Sequence, residues 1–138
     1  LFANIGSGQG GYPLVEVDGS LELLDTVDER WGFCSRNELL LPIVHNALWA
    51  FDVPIPIVTT DAMNFGEGLW AARRGVPHLG MIGSGNYWHS AADTLDKTSV
   101  EIAEPMVRAW AFIIAYASTL PDGALRATEW RQGQAASH

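Results

Sequence analysis

"IPIVTTDAMNFGEGLWAARRGVPHLGMIG", residues 55–83, sets two short apolar runs on either side of a helix-like segment, and its reading decides the fold. Residues 55–60 read as a buried strand that ends at Asp61. Residues 62–75 read as a helix with Arg73 and Arg74 in its last turn and Gly75 as its stop, and residues 76–82 as the next strand. Upstream, "NELLLPIVHNALWAFDVP" (37–54) places Leu40, Ile43, Val44, Ala47, Leu48 and Phe51 at helical spacing and halts at the Val53–Pro54 step. Downstream, "SVEIAEPMVRAWAFIIAYAST" (99–119) carries an apolar face through Met106, Val107, Trp110, Ile113 and Ile114. Thr98 or Ser99 is placed to cap that helix, and Pro105 falls early enough in it to be tolerated.

The N-terminal part is read the same way. "LFANIG" and "YPLVEVDG" are strand-like runs joined by a glycine-rich loop, and "SLELLDTVDERWG" (20–32) is expected to be a short helix capped by Ser20 and ended by Gly32. Strands alternating with helices predict an α/β three-layer sandwich with a mostly parallel central sheet. Strands near residues 1–6, 12–18, 55–60 and 76–82 are expected to share that sheet, with the last helix packed on it. In such sheets polar chemistry gathers in loops at the carboxyl ends of strands, where Asp61 and the segment around His89 fall. Residues 1–120 are assigned to one domain and 121–138 to a polar tail. Leu1 opens directly on strand-like residues, so the chain is expected to begin inside a larger domain.

Composition narrows the function. The chain of 138 residues carries sixteen acidic and eight basic side chains, a net charge of −8, with no basic cluster, so a nucleic-acid backbone would be repelled. No apolar run reaches the length of about 18–20 residues that spans a bilayer, so a membrane partner is not expected. Cys34 is the only cysteine, which excludes an internal disulfide and a cysteine-built zinc site and fits either a cytoplasmic or an exported soluble protein. The loop "GSGQGG" lacks the Gly-Lys-Ser/Thr ending of a nucleotide cradle, and Tyr12 and Pro13 lead from it into another strand.

The segment "GNYWHSAADTLDK" (85–97) holds the best candidate for chemistry. His89 follows a strand, and Asp93, four residues on, is placed to orient its ring or to cap the next segment with Thr94. The same histidine, set beside Tyr87 and Trp88, also reads as a packed loop residue, and the spacing leaves both readings open. Asp61 reads equally as a carboxylate near a cleft or as a turn and cap residue at a strand end. His45 and His78 read as structural histidines. Asp25, Asp28, Glu29, Glu101 and Glu104 read as solvated helix faces; Glu67, on the helix after Asp61, reads as a helix-surface residue ahead of one that approaches the cleft.

Taken together, Thr60-Asp61, Gly75-Val76-Pro77 and Trp88-His89-Ser90-Ala91-Ala92-Asp93-Thr94, followed by one long apolar helix, resemble the C-terminal part of the co-catalytic zinc peptidases. These are the aminopeptidases, glutamate carboxypeptidases and, more distantly, glutaminyl cyclases of metallopeptidase family twenty-eight, with a phosphorylase/hydrolase-like fold. The resemblance is close from Ile57 to Tyr116. It implies an exopeptidase that removes N-terminal residues from a peptide or small amide substrate. His89 would be the last protein ligand of two zinc ions, Asp61 and Asp93 carboxylates that orient the ligands without touching the metal, and Tyr87 and Trp88 substrate contacts. The general base and the other ligands would lie upstream of Leu1, in the other half of the same domain. Two departures stand out: Ala3 or Asn4 occupies the place of a zinc-binding aspartate, and Trp88 replaces a tyrosine that can act as a transition-state donor. A related deacylase or carboxypeptidase of the same clan is the second enzyme reading. A metal-free binding or structural module on the same fold is the reading from another class.

Overall fold

A computed structural model describes residues 1–5, 11, 14–24, 26–27, 29–59, 67–83, 91 and 94–126. In chain order its elements are β1 (Phe2–Ile5), β2 (Leu14–Val17), β3 (Ser20–Leu23), β4 (Arg30–Cys34), α1 (Leu40–Ala50), β5 (Ile57–Thr59), α2 (Gly68–Arg73), β6 (His78–Gly83), a 3-10 turn (Leu95–Lys97) and α3 (Val100–Thr119). The fold is mixed α/β. Its main sheet has the order β1-β6-β4-β5, and two of its three neighbouring pairs are parallel. The antiparallel junction lies in the middle, where Leu79 of β6 faces Cys34 of β4, so β1 and β6 run opposite to β4 and β5.

Strand alternation puts Cys34, Leu79 and Met81 on one face of the sheet. There they join Leu40, Val44 and Ala47 of α1 and Met106, Ala109, Trp110 and Ile113 of α3 in a continuous buried core. Each large aliphatic side chain in it contributes roughly 1.5–3 kcal/mol of burial. The short α2 lies against β6 and β1, with Ala71 and Ala72 buried.

The segment 20–32 differs from the expected helix, and β2 from its expected place in the main sheet. Asp18 (φ 50°) and Gly19 (φ 80°) form a two-residue turn that folds β2 back on β3 as a separate hairpin, with Val17 opposite Ser20. Both turn residues take the positive φ of the primed turns that match strand twist, and Asp-Gly is a favoured pair for them. Ser20 is therefore no helix cap; its hydroxyl donates to the Val17 carbonyl at 2.8 Å. Gly32 likewise ends no helix. It sits inside β4, where the δ-methyl of Ile57 on β5 occupies the space a Cβ would need.

The helix ends follow local chemistry. Asn37, buried, accepts the N–H groups of Leu39 and Leu40 on Oδ1 at 3.0 and 2.9 Å and so starts α1. At the other end Asp52 adopts φ +54°, and Val53 N–H donates back to Leu48 at 2.8 Å. Gly75, as expected, closes α2 in the left-handed conformation (φ +62°), with Val76 N–H donating to the Ala71 carbonyl. Ser99 caps α3 by accepting the Ile102 N–H. Beyond α3 the chain turns back: Leu125 is buried, and its carbonyl accepts the Asn37 side-chain amide at 2.5 Å. The first residues of the polar tail are thus tied to the start of α1.

Candidate functional site

The residues singled out from the sequence, Asp61, Tyr87, Trp88, His89 and Asp93, lie outside the described residues. The structure describes the framework on either side of them. β5 stops at Thr59, two residues before Asp61, and β6 stops at Gly83, six residues before His89. The two strands are antiparallel to one another across β4. Thr59 lies level with Cys34 and Leu79, whereas Gly83 lies level with Arg30. Their carboxyl ends therefore point to opposite ends of the sheet, rather than to the one shared end expected, because β4 lies between them, parallel to β5 and antiparallel to β6. Four strand residues separate the two levels, a distance of about 13 Å. Six residues of chain span at most about 20 Å, so the separation of the two levels is within the reach of the chain between Gly83 and His89.

Downstream of His89 the chain is described again at Ala91 and from Thr94 onward. Thr94, the last residue of the motif, donates its hydroxyl to Asp96, whose carboxylate also pairs with the Lys97 ammonium. The Lys97 hydrogen bond, followed by that of Thr94, holds the Asp96 carboxyl below the usual aspartate range. Glu101 is lowered as well, first by the Ser99 hydroxyl, which donates to it at 2.5 Å, and then by its own backbone N–H. Thr94, Asp96 and Lys97 thus hold the 3-10 turn, and Ser99 with Glu101 lies at the start of α3.

Two other histidines, His45 and His78, are described. His45, expected to be a structural histidine, is instead exposed on α1. His78 is 2 % exposed at the start of β6, with Nδ1 3.0 Å from the Val76 carbonyl. A carbonyl only accepts, so Nδ1 donates to it, and Nε2 is buried with no hydrogen-bond partner among the described residues. Ser35, which the sequence reading passed over, locks this corner. Its N–H donates to the His78 carbonyl at 3.0 Å, and its hydroxyl accepts the His78 N–H at 3.2 Å. Glu67 is exposed before α2, as expected of a helix-surface residue.

Among the described residues, no three His, Cys, Asp or Glu side chains come together in a way that could hold a metal ion. Cys34, the chain's single cysteine, is buried in the apolar core. A catalytic zinc takes three protein ligands and one open position, so the described donors do not fit one, and a metal function would rest on His89 together with residues beyond them. No described helix is long and apolar enough to cross a membrane. No family model matches the chain, and no curated protein or solved structure is significantly similar to it.

Proposed function

We propose that this chain contributes to a metal-dependent exopeptidase that removes N-terminal residues, with His89 as the last protein ligand of a two-zinc site. The observation that carries the reading is the ordered pattern Thr60-Asp61, Gly75-Val76-Pro77 and Trp88-His89 through Asp93-Thr94. The order α2, left-handed Gly75, β6, then a capped long helix supports it, since the three-layer zinc-peptidase fold uses that succession around its final histidine. In this reading Asp61 and Asp93 hold the site from behind, while Tyr87 and Trp88 line the substrate. Trp88 offers an indole N–H, which donates but cannot ionise. One imidazole does not make a catalytic zinc site, and in this reading the remaining ligands and the general base lie in the other half of the same domain.

A metal-free module on the same fold is the second reading. It is favoured by β1, whose residues Phe2–Ile5 include no carboxylate where the family places a zinc ligand. Zinc analysis of the gene product that carries this sequence separates the two. His89→Ala is expected to lose about one zinc equivalent and to abolish turnover of an aminoacyl-anilide, whereas His45→Ala is expected to keep both. Zinc content and turnover that survive His89→Ala would overturn the proposal, and a parent protein that purifies without zinc would favour the module.

A further inference from the structure

Between α1 and α3 runs an apolar groove of about 290 Å³, walled by Leu39, Pro42, Phe112, Tyr116 and Leu120. Ligand pockets begin at about 300 Å³, so the groove has room for one small molecule with a single ring and a short arm. The two helices run antiparallel: Phe51, just after α1, meets Phe112 edge-on at 6.2 Å, while Asn37, before α1, holds the Leu125 carbonyl beyond α3. Phe112 also stacks on Tyr116 at 6.1 Å, and both rings are nearly half exposed. The α3 wall thus offers an open aromatic surface that its own contacts already order.

Among the described residues that line the groove, Glu38 alone is charged, and no described residue pairs with its carboxylate. Because α1 begins where α3 finishes, that carboxylate lies toward the Tyr116 and Leu120 end, and Asn46 toward Phe112. A carboxylate at one end of an aromatic wall complements a ligand that is apolar at one end and cationic at the other. The ring packs on the wall, the ammonium donates to the carboxylate, and the face of Tyr116 adds cation–π attraction. The chain's net charge of −8 draws such a cation in and repels the matching anion. A second copy suits this face less, since it would take the Glu38 carboxylate out of water and bring a further −8 against it. From the size, the aromatic wall and the single carboxylate we infer that the α1/α3 groove binds a small arylalkyl amine, its ring against Phe112 and Tyr116 and its ammonium on Glu38. The inference does not rest on the proposed peptidase function.

The test titrates the full 138-residue chain with 2-phenylethylamine, protonated near neutral pH, and follows the methyl signals of Leu39, Ile43 and Leu120 by NMR. Ile57 and Leu79, on the sheet, serve as references. Saturable shifts confined to the groove methyls are expected, and Glu38→Gln is expected to weaken binding about three- to five-fold, the size of an exposed ion pair. 3-Phenylpropionate, which has the same ring with a negative end, and propylamine, which has the ammonium without the ring, are expected to leave the groove methyls unmoved. No saturable shift with 2-phenylethylamine would overturn the inference. So would an affinity unmoved by Glu38→Gln, or equal binding of neutral 2-phenylethanol, either of which would make the groove a plain apolar pocket. A lysine-bearing peptide that displaces the amine and binds more tightly would assign the groove to a protein partner and overturn it. Groove methyls that shift on dilution of the protein alone would give the face to a second copy, with the same result.

Discussion

Asp52 closes α1 in the left-handed region at φ +54°, a conformation that costs most side chains roughly 1–2 kcal/mol. Aspartate tolerates it better than β-branched residues do. Asp52→Val is therefore expected to lower the unfolding free energy by about 1–2 kcal/mol, measured by urea denaturation, whereas Asp52→Gly should not destabilise. Equal stability of the valine variant would show that the α1 terminus relaxes freely. A second residue-scale prediction concerns acid. The folded-state pKa of Asp96 is depressed by Lys97 and Thr94, so the stability it lends is present above the unfolded value of about pH 4 and is lost as pH falls through the lower folded value. In an NMR titration the Asp96 carboxylate should titrate below an ordinary aspartate, and Lys97→Ala should raise it toward the usual range, with the Thr94 hydrogen bond still holding it down. An unchanged midpoint in that variant would remove Lys97 as the cause.

At the scale of elements, Asn37 joins two of them. Its Oδ1 starts α1, and its Nδ2 holds the turn around Leu125. Asn37→Ala is expected to cost about 1–2 kcal/mol and to speed hydrogen exchange at Ala124, whose N–H donates to the Pro121 carbonyl. Asn37→Asp retains the acceptor but cannot donate, so it should speed exchange at Ala124 while leaving Leu40 protected. Exchange unaffected at Ala124 in both variants would detach the turn from Asn37. The elements that the sequence made legible were those whose pattern had a single period and a clear stop. The stripe Leu40, Val44 and Ala47 gave α1, Ser99 gave the start of α3, and Gly75 gave the end of α2. The hairpin was hidden because Ser20 reads as a helix cap, although Asp18-Gly19 between two apolar runs carried the stronger signal. β4 was missed because Gly32 reads as a helix stop until the side chain of Ile57, distant in sequence, is set against it. For the candidate site, sequence supplied the residue types, and the structure supplies the opposed directions of β5 and β6, which no local pattern encodes.

For the whole molecule, the outward side of α3 shows Val100, Val107 and Ile114, one apolar residue every two turns, all exposed. β1 and β5 are the edges of the main sheet. Such faces and edges favour association, so the 138-residue chain is expected to gain mass with concentration in light scattering and to bind zinc weakly without peptidase turnover. A monodisperse monomer with tight stoichiometric zinc and turnover would contradict both expectations. The position of β6 between β1 and β4 also governs time. Ala3 pairs with Leu79, so the first strand cannot find its neighbour until most of the chain has been synthesised. Such distant pairings bear a loop-closure cost before any contact repays it. The β2–β3 hairpin, by contrast, closes locally within about 1–10 μs. During synthesis on the ribosome β1 therefore waits as an unpaired strand, and the nascent chain is most exposed to misassociation in the interval before β6 emerges.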